Sequence, residues 1–264
     1  MQDVASKIVV TPLLIGAASL AGRRWGHHVG GWLVGLPTTT GLAAFFLAAD
    51  HGTGFAGDAA VGMLAGTSSQ AAFAVAYRAF VRRGWPPSFA AGCAAFTAST
   101  VGLARLPWSA WPTFALVVAT LAAGYVATRP RDRSTEGVAA DLPRWDIPVR
   151  MGLATAVVLT ITGLAPIIGA HLAGLLAPFP VFGSILAVFT HRTHGPRSAT
   201  AVLHGFVVGL GASAVFFLVL ALTVRPLGPV SFAIATLAAV LSQAGSVSVA
   251  RRRRATGVRP PADA

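Results

Sequence analysis

Apolar stretches of about 18 residues or more recur along the chain, broken by short segments rich in Gly, Pro and Arg. The pattern predicts nine helices: Val4–Gly22, Val29–Asp50, Phe55–Phe80, Pro86–Leu106, Trp111–Thr128, Pro148–Gly169, His171–His191, Ala199–Val224 and Val230–Ala250. The stretch from Pro86 to Thr128 is too long for one span. Arg105, Pro107 and Pro112, flanked by Trp108 and Trp111, mark an interfacial turn inside it. The longest polar linker, Arg129–Asp146, divides the chain near its middle.

The two sides of that linker resemble each other. Gly26–Ala95 aligns with Gly169–Ala238 without a gap, at a constant offset of 143, and 21 of the 70 pairs are identical. The pairs include Pro37/Pro180, Phe46/Phe189, His51/His194, Gly52/Gly195, Gly62/Gly205, Gly66/Gly209 and Pro86/Pro229. Paired Pro, His and Phe in register are not what an Ala- and Gly-rich composition supplies by chance. Four spans fall in each copy and one between them, so equivalent spans lie five apart, an odd number. The copies therefore cross a bilayer in opposite senses. The expected fold is an all-α polytopic membrane protein with a 4+1+4 inverted repeat. Its parts are residues 1–106 (first repeat), 107–147 (adaptor span and linker), 148–250 (second repeat) and 251–264 (basic tail).

Charge placement supports that count. The chain is 55% hydrophobic, 11% charged and has a mean hydropathy of +0.70. Its formal charge of +12 is spread as punctuation between apolar segments, which excludes a nucleic-acid stripe. With the N-terminus outside, 17 of the 20 Lys and Arg face the cytoplasm, and only Lys7, Arg105 and Arg225 do not. Arg23 and Arg24 match Pro166 and Ile167 in the other copy, and Arg192 matches Ala49, so basic residues switch loops between copies. The first span is expected to be retained rather than cleaved as a signal peptide, because Asp3 precedes it and Arg23-Arg24 follow it. Arg251–Arg254 reads as an anchor on anionic lipid. The scarcity of Lys beside Arg, with the Ala and Gly content, points to a bacterial source and hence to an inner membrane. Cys93 stands alone, so an intrachain disulfide is excluded.

The second copy reads His171-Leu-Ala-Gly-Leu-Leu-Ala-Pro-Phe-Pro-Val-Phe-Gly183. This stretch resembles the GlpM family of small bacterial inner-membrane proteins, most strongly over Gly169–Phe189. Gly30–Gly41 of the first copy is a looser match without the double-Pro pattern. The resemblance implies two fused, oppositely oriented GlpM-like units, and it adds architecture more than activity.

The second helix of each copy is broken near its middle, at Gly35-Leu-Pro37-Thr-Thr-Thr-Gly41 and at Pro178-Phe-Pro180-Val-Phe-Gly183. Proline removes a donor and frees a carbonyl one turn back, and freed backbone at bilayer depth must face protein or a wet cavity. Two equivalent breaks point to a solute site, whose half-helix N-termini favour an anion or a polar solute. The candidate site residues are Pro37, Thr38, Thr39, Thr40, Ser69, Gln70, Pro180 and Gly183; for Ser69 and Gln70 the competing role is hydrogen bonding between helices. Gln243 is a further polar group at depth, and Gly62-xxx-Gly66 and Gly205-xxx-Gly209 read as close-packing faces.

No charged residue falls in the middle of a predicted span, Asp58 being the nearest carboxylate. Neither paired carboxylates nor a nucleophile–base couple is placed, so the chain is not expected to be an enzyme or to need a cofactor. His191-xx-His194 has helical spacing for a metal, but the pairs His28/His171 and His51/His194 read as anchors at the ends of the broken helices, and no metal site is assigned. The expectation is a transporter-like protein moving a small polar or anionic solute, with the bilayer as its other partner. The alternative is a membrane scaffold or accessory protein of an envelope pathway.

Overall fold

A computed structural model describes residues 2–24, 37–106, 109–130 and 146–257. These form seven α-helices: α1 (Gln2–Arg24), α2 (Thr38–Phe80), α3 (Trp85–Leu103), α4 (Ala110–Thr128), α5 (Asp146–Leu176), α6 (Val181–Leu227) and α7 (Val230–Gly257), with a 3-10 turn at Val81–Arg83. Four helical stretches are long and apolar enough to cross a membrane: Thr38–Arg83, Ala110–Thr128, Ile147–Leu176 and Val181–Leu227. The first half of the expected second span, including Gly35, and the linker residues 131–145 lie outside the described residues.

Among the described residues seven helices stand where nine were expected: three boundaries are single glycines rather than loops, and the break at Ala177–Pro180 divides the expected span His171–His191. Gly52, Gly169 and Gly195 interrupt α2, α5 and α6 at φ of 84°, 79° and 82°. That left-handed region is open to glycine at little steric cost, so the chain turns within one residue. Expected spans that should have been separated near residues 50–55 and 191–199 are thereby joined end to end. Two of these turns, Gly52 and Gly195, are 143 residues apart and share their backbone angles, with ψ of 171° and −178°.

The long arms 53–80 and 196–227 run antiparallel. Arg225 bonds Asp58 at 2.6 Å at one end, and Phe73 and Tyr77 cluster with Leu203 and Val207 toward the other, where Tyr77 Oη lies 3.2 Å from His191 Nδ1 in the segment 181–194. The short arm 38–51 folds back from Gly52 beside α6, because a Cβ at Gly41 would meet the Phe216 ring at 3.5 Å. The arm 181–194 folds back from Gly195 in the same way, with Gly183 against Phe206.

Small residues decide how closely these arms approach. A Cβ at Gly62 would lie 2.5 Å from the His171 carbonyl oxygen and 3.1 Å from Gly174 Cα, and one at Gly66 would lie 2.9 Å from Pro178. The face Gly62-xxx-Gly66 is thus a backbone-to-backbone contact with the end of α5. The core around it is built largely of Ala with Phe46, Met63, Phe216 and Phe217. α4 bridges the two halves along one face: Gly124 sits between Val207 and Ala71, and Thr120 donates to Ser68 at 3.0 Å. Its other faces are largely exposed, as expected of an adaptor helix.

One buried ion pair escaped the sequence pattern. Lys7 of α1 pairs with Asp50 at the end of the short arm, with side-chain exposures of 7% and 14%, and Lys7 Nζ lies 5.8 Å from the Phe46 ring.

Two predictions follow from this packing. Gly174→Ala drives a Cβ into the Ala59 carbonyl and is expected to destabilise by about 1–3 kcal/mol. Gly163→Ala, at an exposed helical site with nothing within 4 Å, should be neutral or slightly stabilising. Melting temperatures in detergent compare them, and equal melting of the two variants would contradict the close contact. Asp50→Ala strands a buried ammonium and should cost about 3–5 kcal/mol, whereas the double variant Lys7→Met with Asp50→Leu recovers most of it. A double variant no more stable than Asp50→Ala would show that the pair is not the cause.

Candidate functional site

Both short arms begin at a proline with one backbone geometry. Pro37 has φ −77° and ψ 58°, and Pro180 has φ −79° and ψ 58°. Gly41 N donates to the Pro37 carbonyl at 2.6 Å, and Ser184 N donates to the Pro180 carbonyl at 2.8 Å, again 143 residues apart. In neither helix does a side chain cap the start. Ahead of Pro180 the helix ends at Leu176, and Ala177–Pro180 form the break. The Gly66 contact with Pro178 sets this break against the middle of the long arm 53–80.

The two helix starts face one another along α6. Gly41 meets Phe216 and Gly183 meets Phe206, ten residues away on the same helix, a separation of about 15 Å at α-helical rise. The arm 38–51 runs from there toward the Arg225 end, and 181–194 runs toward the opposite end. Their first residues, Thr38 and Val181, therefore point inward, with about 7 Å between them along the axis of α6.

Two polar side chains at this level lack partners. Thr39 is 9% exposed, and its hydroxyl oxygen is buried with no hydrogen bond among the described residues. Gln70 is also 9% exposed, and no bond to its amide occurs among the described residues. Gln70 stands one turn beyond Gly66 and two beyond Gly62 on the same face of the arm. Gly62 opposes His171–Leu175 and Gly66 opposes Leu175–Pro178, so the progression brings Gln70 opposite the start of 181–194.

The remaining candidates divide differently. Thr38 and Thr40 are half-buried in the first turn. Gly183 lies under the Phe206 ring, where a Cβ would come within 2.9 Å, so its smallness has a packing reason. Ser69 is engaged in a hydroxyl cluster, donating to Ser99 at 3.2 Å and accepting from Thr100 at 3.0 Å. With Thr120 on Ser68, these bonds tie α2 to α3 and α4 in the interhelical role weighed for this segment. Ser99, Thr100 and Thr120 were not singled out in the sequence, where isolated hydroxyls in Ala-rich spans carry no signal of their partners. His191 turns into the core at Tyr77, while His194 is exposed with Nδ1 2.6 Å from the Thr193 hydroxyl, so the two rings do not converge. Among the described residues no group of three or more His, Cys, Asp or Glu could hold a metal ion.

The contrast between bonded and unbonded hydroxyls is measurable. Thr100→Val removes a bond to Ser69 and should cost about 1 kcal/mol. Thr39→Val replaces an orphaned oxygen with a methyl and should leave the melting temperature unchanged or raise it. A clear loss of stability in Thr39→Val would mean that its hydroxyl has a structural partner. No protein-family model matches the chain, and no curated protein or solved structure does either.

Proposed function

We propose that this chain is a bacterial inner-membrane protein of nine spans, built as an inverted pair of GlpM-like units, which moves a small polar or anionic solute between its two broken helices. The observation that carries the reading is the pair of uncapped helix starts at Pro37 and Pro180. They lie 143 residues apart, share one backbone geometry and face each other beside the unpartnered Thr39 and Gln70. Discontinuous helices at equivalent positions of two repeats are the usual construction of a transporter site.

Several features support the inverted topology. The equivalent arms 53–80 and 196–227 are antiparallel, as an inverted repeat requires. Two of the three basic residues assigned to the outside, Lys7 and Arg225, are neutralised by Asp50 and Asp58. Basic residues assigned to the inside gather at the other end of the long arms: Arg78 donates to the Arg129 carbonyl at 3.3 Å, and Arg192 lies over the Trp85 ring at 5.6 Å. This arrangement accords with the positive-inside rule and with aromatic anchoring at the interface.

Paired periplasmic and cytoplasmic reporters fused after Asp50, Arg83, Leu106, Pro143, Ala170 and Pro196 should report out, in, out, in, out, in. A Leu106 fusion reporting inside would remove the inversion. For transport, purified protein in liposomes should pass at least one member of a panel of small polar and anionic solutes, and Thr39→Val should lose that flux while keeping its melting temperature. Folded protein that passes none of the panel would favour the scaffold alternative.

A further inference from the structure

We propose that the end of the long arms carrying Arg82, Arg83 and Arg192 seats the headgroup phosphate of an anionic phospholipid. The inference needs the chain to lie in a bilayer, and it is independent of whether the chain moves a solute.

The repeat shows what this end lacks. At the opposite end Arg225 has Asp58 as its partner, and Lys7 has Asp50. At the offset of 143, Arg225 corresponds to Arg82 and Asp58 to Ala201. Asp50 corresponds to Thr193 and, with the offset carried on into α1, Lys7 corresponds to Arg150. In both pairs the cation recurs and the carboxylate does not. The antiparallel arms that bring Arg225 to Asp58 set Arg82 toward Ala201 in the same register. Their chain neighbours Val81 and Val202 pack against one cluster with Tyr77 and Leu203. Among the described residues Arg82, Arg83 and Arg192 have no ion pair and no hydrogen bond. The linker 131–145, outside those residues, carries Asp132, Glu136 and Asp141 but also Arg131, Arg133 and Arg144, so it adds no net charge. The counter-charge that the chain supplies at one end is left at the other to its surroundings.

Aromatic rings hold the guanidinium groups ready. Arg83 lies over the Phe80 ring at 4.8 Å, and Arg192 lies over the Trp85 ring at 5.6 Å. A ring takes a guanidinium by its face and leaves the in-plane N–H donors free. Those donors match phosphate oxygens, which they bind through two parallel bonds. Trp85, two residues past Arg83 and under Arg192, brings both cations to one rim. Pro86 and Pro87 deprive the start of α3 of two amides, so recognition there falls to the arginines.

The same rim favours a lipid over a free phosphate. Trp85 is 37% exposed, and Pro86 and Pro87 beside it are exposed as well, forming an apolar shelf next to the cations. Indole rings settle at the headgroup level of a bilayer, where one side is apolar and the other wet. A free phosphate gains nothing from that shelf. A zwitterionic lipid brings an ammonium group that the arginines repel.

The test titrates detergent-purified protein with phosphatidylglycerol, phosphatidylcholine or soluble glycerol 3-phosphate, following the melting temperature, and counts retained lipid by native mass spectrometry. Phosphatidylglycerol should be retained and should raise the melting temperature, and the other two should not. Arg82→Gln or Arg192→Gln should need about tenfold more phosphatidylglycerol for the same shift, as the loss of a charge-assisted bond implies. Arg129→Gln removes one charge from the same end and should change little. Ala201→Asp gives Arg82 the partner that Arg225 has, and should displace the lipid while melting normally without it. No effect of phosphatidylglycerol would overturn the proposal. Glycerol 3-phosphate acting as well as the lipid would overturn the choice of a lipid, and phosphatidylcholine acting as well would overturn the charge selectivity. Diffuse attraction to an anionic surface treats nearby arginines alike, so Arg129→Gln costing as much as Arg82→Gln would overturn a defined site. Retention unchanged in Ala201→Asp would overturn the argument from the missing carboxylate. None of these outcomes bears on the transport reading.

Discussion

Backbone meets backbone where Gly62 and Gly66 face Gly174 and Pro178, and the rest of the molecule is arranged around that contact. Apolar helices gain little from the hydrophobic effect when their surroundings are equally apolar. Association then depends on close van der Waals approach, which only small residues permit. A side chain at Gly62 or Gly174 would push the end of α5 away from the long arm, and with it the break at Ala177–Pro180. Because the contact fixes the level of that break, it also fixes which residue of the long arm stands opposite the next helix start. Gln70 occupies that level through its spacing from the glycines, so a packing motif and a polar group form one device.

Many hydroxyls of the long helices are answered. Ser69, Ser99 and Thr100 bond one another, Thr120 bonds Ser68, and Thr67, Thr155, Thr162 and Thr223 donate to carbonyls of their own helices. Lys7 and Asp50 neutralise each other within the protein. The Thr39 hydroxyl is among the buried polar atoms without a partner, as are atoms of Thr11, His51, Arg78, Thr190 and Ser231, and Gln70 makes no hydrogen bond among the described residues. Thr39 and Gln70 matter because they occur beside two helix starts that no side chain caps.

The break at Pro178–Gly183, the Gly62-xxx-Gly66 face and the antiparallel long arms were legible in the sequence, since each depends on local chemistry or on the 143-residue register, whereas Gly205 of the second expected glycine face meets nothing within 4 Å. Pro37 and Pro180 stand at helix starts, whereas Pro12, Pro166, Pro196 and Pro226 lie within helices, so proline marks a break only together with its neighbours; Gly62-xxx-Gly66 gives a smooth face. The one-residue turns at Gly52 and Gly195 were less legible, because a polar segment such as Asp50–Gly54 or Arg192–Ser198 reads as a loop whether it uses one residue or five. Long-range pairs were hidden altogether. Lys7 finds Asp50 across 43 residues and Tyr77 finds His191 across 114, and neither partner carries a local sign of the other. Ser69 looked like a site residue for the same reason: its occupation by Ser99 and Thr100 is a tertiary fact.

Tyr77 and His191, the buried pair that ties the long arm 53–80 to the short arm 181–194, correspond in the 143-residue register to Leu220 and Ala48. The matching place at the other end is therefore apolar, and the polar fastening there is Asp58 with Arg225, exposed to solvent. An exposed ion pair is screened by electrolyte over a Debye length of about 8 Å at physiological ionic strength, while a buried hydroxyl–imidazole contact is nearly indifferent to it. Salt thus weakens the exposed Asp58–Arg225 contact and spares the buried Tyr77–His191 one. Two halves alike in backbone have in this way been made unequal in their dependence on the medium, which lends direction to a structure whose framework has none of its own.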